Sequence, residues 1–116
     1  MDLSIIIINY KTKRVTADCL KTILRSIDKI KKEVIVVDNG SGDGSIEYLA
    51  KKFPWAKIYD SGANLGFAGG NNFGFKKSSG KYVWFLNSDT LLKKTTIQKI
   101  YDAAMSNNSA IASCRL

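Results

Sequence analysis

The run Glu33-Val-Ile-Val-Val-Asp-Asn-Gly-Ser-Gly-Asp-Gly-Ser45 decides the fold. Four consecutive aliphatic residues, Val34 to Val37, leave no polar position between them. They predict a strand buried on both faces, which belongs in a parallel sheet rather than a half-solvated antiparallel one. Asn39-Gly40-Ser41-Gly42 breaks the strand, and Asp43 is placed to cap a helix. That helix carries Ile46, Leu49, Ala50 and Phe53 at helical spacing, and Pro54 stops it.

The same alternation extends in both directions. Upstream, Leu3 to Asn9 is an aliphatic run of buried-strand length, closed by Asn9-Tyr10-Lys11. Leu20, Ile23, Leu24 and Ile27 then recur as the stripe of an amphipathic helix. Downstream, Lys57 to Asp60 reads as a short third strand. Gly62 to Gly74 reads as a Gly/Asn-rich loop, with a helix after it as far as Ser79. Tyr82 to Leu86 is a fourth strand, and Ile97, Ile100, Tyr101 and Ala104 mark another helix. Ala110 to Leu116 begins a fifth strand.

The expected architecture is one α/β domain over residues 1–116, a mostly parallel sheet with helices on both faces. A last strand that runs to the final residue predicts a truncated domain with an open sheet edge, which could pair with a second copy.

Composition narrows the chemistry. There is no His, which removes Ser-His-Asp and Cys-His mechanisms and the usual His-containing metal sites. Eighteen Lys and Arg against ten Asp and Glu give +8, a balance that favours anionic partners. The cations are dispersed, however, and no aromatic-interleaved basic stripe supports a nucleic-acid binder.

The aliphatic run Ile5 to Ile8 is far too short to span a bilayer, and the N-terminus lacks the pattern of a signal peptide. The expectation is a soluble cytoplasmic protein whose basic surface allows peripheral contact with an anionic inner membrane face. Cys19 and Cys114, far apart and without CxxC spacing, read as buried reduced thiols.

Three polar clusters directly follow strands: Asn9-Tyr10, Asp38-Asn39-Gly40-Ser41 and Asn87-Ser88-Asp89. In an open parallel sheet, ligands bind at the carboxyl ends of strands where the strand order reverses. If the three strands are neighbours, the clusters share one rim. An Asp or Asn there offers hydrogen-bond acceptors to a pyrimidine, Tyr10 offers a face to stack on it, and Asp89 offers a hard oxygen to Mg or Mn bridging phosphates. Each cluster also has a plainer reading. Asp38-Asn39-Gly40 could be a simple turn, Asn87 to Thr90 a helix cap, and Gly66, Gly69, Gly70 and Gly74 a loop without a ligand.

Other phosphate motifs fail. Gly74 to Lys81 has one residue too many for a Walker A loop, and Gly40-Ser41-Gly42-Asp43-Gly44 lacks G-x-G-x-x-G spacing.

Four motifs in order resemble the N-terminal, nucleotide-binding half of family 2 inverting glycosyltransferases with the GT-A fold, a Rossmann-like arrangement. They are Ser4-Ile-Ile-Ile-Ile-Asn-Tyr10, Glu33 to Ser45, Asn64-Leu-Gly-Phe-Ala-Gly-Gly-Asn-Asn-Phe-Gly74 and Tyr82-Val-Trp-Phe-Leu-Asn-Ser-Asp-Thr90. The third is similar to the rhamnosyltransferase-like branch, enzymes that build bacterial cell-surface polysaccharides.

By that resemblance, Asn9 and Tyr10 would line the base pocket, and Asp38 with Asn39 would recognise the pyrimidine. Asn64 to Asn72, including Gly66, Gly70 and Asn71, would border the nucleotide and donor sugar. Asn87-Ser88-Asp89 occupies the DxD position, with Asp89 the metal-contacting carboxylate toward Mg or Mn. The implied chemistry is direct displacement at the anomeric carbon of a nucleotide-diphosphate sugar, of the dTDP-rhamnose or UDP-sugar class. The acceptor would be a glycan or glycolipid held by a C-terminal portion.

Three departures stand out. Asn87 replaces the first Asp of DxD, and Asn71 stands where many relatives have Arg, with Lys76 or Lys77 as substitutes. No residue aligns with the family's catalytic base, which lies beyond the DxD region. The chain is therefore expected to bind donor without turning over alone. The alternative is a non-catalytic nucleotide-binding or protein-interaction module that keeps the fold.

Overall fold

A computed structural model describes residues 1–106 and 111–113. The elements run β1 (Leu3–Asn9), α1 (Lys13–Leu24), β2 (Lys32–Asp38), α2 (Ser45–Lys52), β3 (Lys57–Asp60), α3 (Gly66–Lys77), β4 (Tyr82–Leu86), α4 (Thr96–Ser106) and β5 (Ile111–Ser113). Four strands and three helices lie where hydrophobic periodicity puts them. The expected fifth strand is present over Ile111–Ser113, while Ala110 and residues 114–116, Cys114 among them, lie outside the described residues.

The strands form one parallel sheet in the order β3-β2-β1-β4-β5. The chain steps outward from β1 to β2 and β3, then crosses back to place β4 on the other side of β1. The strand order therefore reverses between β1 and β4. Register aligns Asn9 with Asp38 and Asp38 with Asp60, so three polar strand ends stand side by side.

β1, β2 and β4 are covered on both faces. Leu3, Ile5, Ile7, Val34, Val36, Trp84 and Leu86 pack against Leu20 and Ile23 of α1, Leu49 of α2, and Ile97 and Ala104 of α4. The opposite side, with Ile6, Ile35, Val37 and Val83, is covered by α3, whose Phe73 packs against it. This two-sided burial is why β1 and β2 read as unbroken aliphatic runs.

Two segments depart from the sequence pattern. The first is the end of α1. The helix stops at Leu24, and the Arg25 and Ser26 amides close back onto Lys21 and Ile23 carbonyls. Its buried stripe is Thr16, Ala17, Cys19, Leu20 and Ile23, so Leu24 lies on its flank and Ile27 falls in the loop beyond. Leu24 and Ile27 are 62% and 68% exposed rather than part of the core.

The second is the Gly/Asn-rich stretch, which is helical from Gly66 onward instead of a loop. The glycines let the helix approach the sheet. A Cβ on Gly74 would lie 2.6 Å from Ile6 Cγ2, and one on Gly70 would lie 3.0 Å from both Ile8 Cδ1 and Asn39 Nδ2. Close packing outweighs the low helix propensity of Gly and Asn.

Candidate nucleotide-binding rim

At the carboxyl end of β1 the Asn9 side chain is fully buried and hydrogen-bonded on every side. Its Nδ2 donates to Asp38 Oδ1 at 2.8 Å and to Ser41 Oγ at 3.4 Å. Its Oδ1 accepts from Thr16 Oγ1 at 2.6 Å and from Thr12 Oγ1 at 3.3 Å. Ser41 Oγ donates to Asp38 Oδ1 at 2.6 Å, and Ser41 N donates to Asp38 Oδ2 at 3.2 Å. The Lys11 amide donates to Ser41 Oγ at 2.8 Å, which holds Lys11 at a φ of 54°, unusual for a residue with a side chain.

These bonds fix the loop after β1 against the turn after β2. Tyr10 projects from that loop, 40% exposed, with Lys11 Nζ 5.3 Å from its ring centroid.

Asn39 lies just below the rim. Its amide N–H continues the sheet to Asn9 O at 2.9 Å. Its side chain donates to Gly66 O at 2.9 Å and accepts from Ser61 Oγ at 3.0 Å. Asn39 therefore ties the end of β2 to the start of α3. Gly70 packs directly on its amide.

Asn64 Oδ1 accepts from the Gly66 amide at 3.0 Å, and both residues are exposed at the mouth of α3. Asn71, half-buried, and Asn72, exposed, sit further along that helix. Beside Asp38 opens a cleft of about 630 Å³ lined by Gly40, Gly42, Gly44, Glu47 and Asp60 among others. Gly40 has φ +79°, and a Cβ there would lie 3.0 Å from the Ala63 backbone, so only glycine fits. Asp43 does not cap α2 from the cap position, which is Gly44, but its Oδ1 accepts from the Ser45 amide at 3.1 Å.

Across the switch point, Asn87-Ser88-Asp89 forms a turn closed by Thr90 N to Asn87 O at 3.1 Å. It is not a helix cap, since α4 begins only at Thr96. Asn87 and Asp89 are exposed. Cys19 lies beneath, with Sγ 4.0 Å from Asn87 O. Burial, and secondarily the charge of Asp89, pushes its thiol up to about 12, so it stays protonated and is no nucleophile.

Among the described residues no group of three His, Cys, Asp or Glu could enclose a metal. A single exposed carboxylate is nevertheless the donor set that suits Mg or Mn when phosphate oxygens and water supply the other ligands.

The fold thus brings Asn9, Tyr10, Asp38 and Asn39 together, with Asn64 and Gly66 attached through Asn39. Asn87 and Asp89 stand on the far side of the same rim. Thr16, which completes the buried knot, was not singled out from sequence, and Ser41 was named only as part of the cluster after β2, without a role of its own. Ser41, three residues after Asp38 in an Asn-Gly-Ser turn, carried a readable signal, since such turns bond back to a preceding Asp. Thr16 carried none, because its partner lies seven residues earlier on another element.

A parallel sheet with its polar strand ends gathered where strand order reverses defines an α/β domain of the nucleotide-binding type. The family model "Glycosyl transferase family 2" matches residues 4–116, and the chain belongs to that family. It is 34% identical over 119 residues to the low-salt glycan biosynthesis hexosyltransferase Agl10 of Haloferax volcanii, covering 99% of this chain and 36% of that protein. It is 34% identical over 83 residues to the cholesterol galactosyltransferase of Borreliella burgdorferi, covering 69% of this chain and 23% of that one.

Among solved structures, S. aureus TarS 1-349 in complex with UDP superposes with a TM-score of 0.80 at 24% identity, over 93% of this chain and 33% of that one. The mannosyltransferase PcManGT from Pyrobaculum calidifontis, in complex with GDP-Man and Mn2+, gives 0.73 at 24% identity, over 82% and 30%. These likenesses show that the fold is GT-A. The chain spans about a third or less of the length of these relatives.

Proposed function

We propose that this chain is the donor-binding part of a glycosyltransferase that takes a sugar from a nucleotide diphosphate, of the dTDP-rhamnose or UDP-sugar class, to a cell-surface glycan or glycolipid acceptor. The observation that carries the reading is the buried Asn9–Asp38–Ser41 knot beside exposed Tyr10, on the same rim as Asp89. The knot fixes a carboxylate at the end of β2 next to an aromatic face, an arrangement suited to the edge and plane of a base. Tyr10 is the stacking partner, and Asp38 is the acceptor for a ring N–H.

The Asn64–Gly66 corner, anchored through Asn39, borders the sugar. Mg or Mn bound at Asp89 would neutralise charge on the departing diphosphate. The UDP complex of TarS and the GDP-Man and Mn2+ complex of PcManGT support this assignment by fold. Lys76 and Lys77, expected to replace a cation at Asn71, lie instead at the far end of α3, next to Ser79, which bonds Glu33 at the amino end of the sheet, about 16 Å from Gly66 and the rim.

Calorimetric titration with UDP and dTDP, with and without Mn, tests the reading. Metal-strengthened binding that disappears in Asp89→Ala is expected. A folded chain that binds neither nucleotide would instead favour a protein-interaction module.

A further inference from the structure

The amino ends of the strands form a second, chemically distinct pole. Leu24 and Ile27, the aliphatics that α1 leaves outside the core, project there with Trp55, which is 39% exposed. Leu24, Trp55, Lys32 and the buried Ile23 and Val34 line an apolar groove of about 270 Å³. The loop that carries these aliphatics reads Leu24-Arg-Ser-Ile-Asp-Lys-Ile-Lys-Lys32.

Its one carboxylate, Asp28, is neutralised by Lys32 at 3.0 Å and hydrogen-bonded to Ser26. Ile27 N donates to Lys94 O, which brings the exposed Lys93-Lys94 pair to the same pole. Among the described residues, Arg25, Lys29, Lys31 and Lys94 are exposed and in no ion pair.

We propose that this pole docks on an anionic lipid bilayer. Exposed aliphatic and indole side chains ringed by unpaired cations match the chemistry of such an interface, where apolar groups enter the acyl boundary and Lys and Arg meet headgroups. The same cations disfavour a second copy on this surface, because two such poles would face each other with like charge. The α1 helix, twelve residues long, separates this pole from the rim by about 18 Å, so docking leaves the rim open to solvent. The inference is independent of which nucleotide the rim takes.

Co-sedimentation of the chain with phosphatidylcholine vesicles, and with phosphatidylglycerol-rich vesicles, tests it. Binding to the anionic vesicles about tenfold tighter than to neutral ones is expected, weakening with salt. Because Trp84 is fully buried, a blue shift of tryptophan emission on binding would report Trp55. Leu24→Gln with Ile27→Gln, at exposed positions, should lower partitioning about tenfold. Lys29→Glu with Lys31→Glu should abolish the preference for anionic lipid. Equal binding to neutral vesicles, no binding, or partitioning unchanged in both variants would overturn the proposal. So would a concentration-dependent dimer that the Leu24→Gln and Ile27→Gln changes dissociate, which would assign the patch to a second copy.

Discussion

On one side of the switch point, the ends of β1 and β2 are locked by hydrogen bonds among Asn9, Thr16, Asp38 and Ser41, all buried. On the other, Asn87-Ser88-Asp89 is an exposed turn closed by one backbone bond. The contrast suits what each half would meet. A base is planar and largely uncharged, and a rigid carboxylate can be organised for it during folding. In the proposed function a diphosphate and its metal would bring their own charge, so Asp89 could stay solvated until they bound, which would avoid the cost of burying an unpaired carboxylate.

Breaking the buried half should therefore cost stability. Asp38→Ala strands Asn9 Nδ2, Ser41 N and the Ser41 hydroxyl, and should destabilise the fold by about 4 kcal/mol in denaturant titration while abolishing nucleotide binding. A loss below about 1 kcal/mol would mean that the knot is not cooperative.

The amino end of the sheet offers a second buried carboxylate for calibration. Burial raises the proton affinity of Glu33, but bonds from Lys57, Ser4 and the backbone and hydroxyl of Ser79 outweigh it and bring its pKa down to about 2. Because the folded value lies below the unfolded one, the stabilisation is complete above the ordinary carboxylate range and is lost as pH falls through about 2. It amounts to about 3 kcal/mol. Glu33→Gln should flatten that acid limb in a pH series of thermal melts. An unchanged limb would remove Glu33 from the account.

Smaller effects sharpen the contrast at the rim. Thr16→Val leaves Asn9 Oδ1 only the 3.3 Å bond from Thr12 and should cost about 1.5 kcal/mol, with nucleotide affinity falling alongside. Asp89→Ala should change stability by less than about 0.5 kcal/mol and yet remove the metal dependence of nucleotide binding. A destabilisation as large as that of Asp38→Ala would show that the two halves are built alike.

Most of this organisation was legible in the sequence, for identifiable reasons. β1, β2 and β4 are buried on both faces, so their aliphatic runs speak for themselves. The rim follows from polar residues placed directly after those runs. The misreadings share one cause, long-range packing that local pattern does not encode. Gly70 and Gly74 look like loop residues because their role is to let α3 approach Ile6, Ile8 and Asn39. Leu24 and Ile27 look like core residues because spacing cannot show where α1 ends. The role of Asn39 as an anchor for α3, beyond any part it has in base recognition, depends on Gly66 and Ser61, which lie more than twenty residues away.

The central claim is that one rim, spanning the ends of β1, β2 and β4, receives the nucleotide. Amide chemical-shift mapping during titration with UDP or dTDP in the presence of Mg tests it most directly. The largest changes are expected at Tyr10 and Lys11, at Asp38 to Ser41 and at Asn87 to Asp89, with the pole around Leu24 and Ile27 silent. Changes confined to residues away from these three strand ends would contradict it.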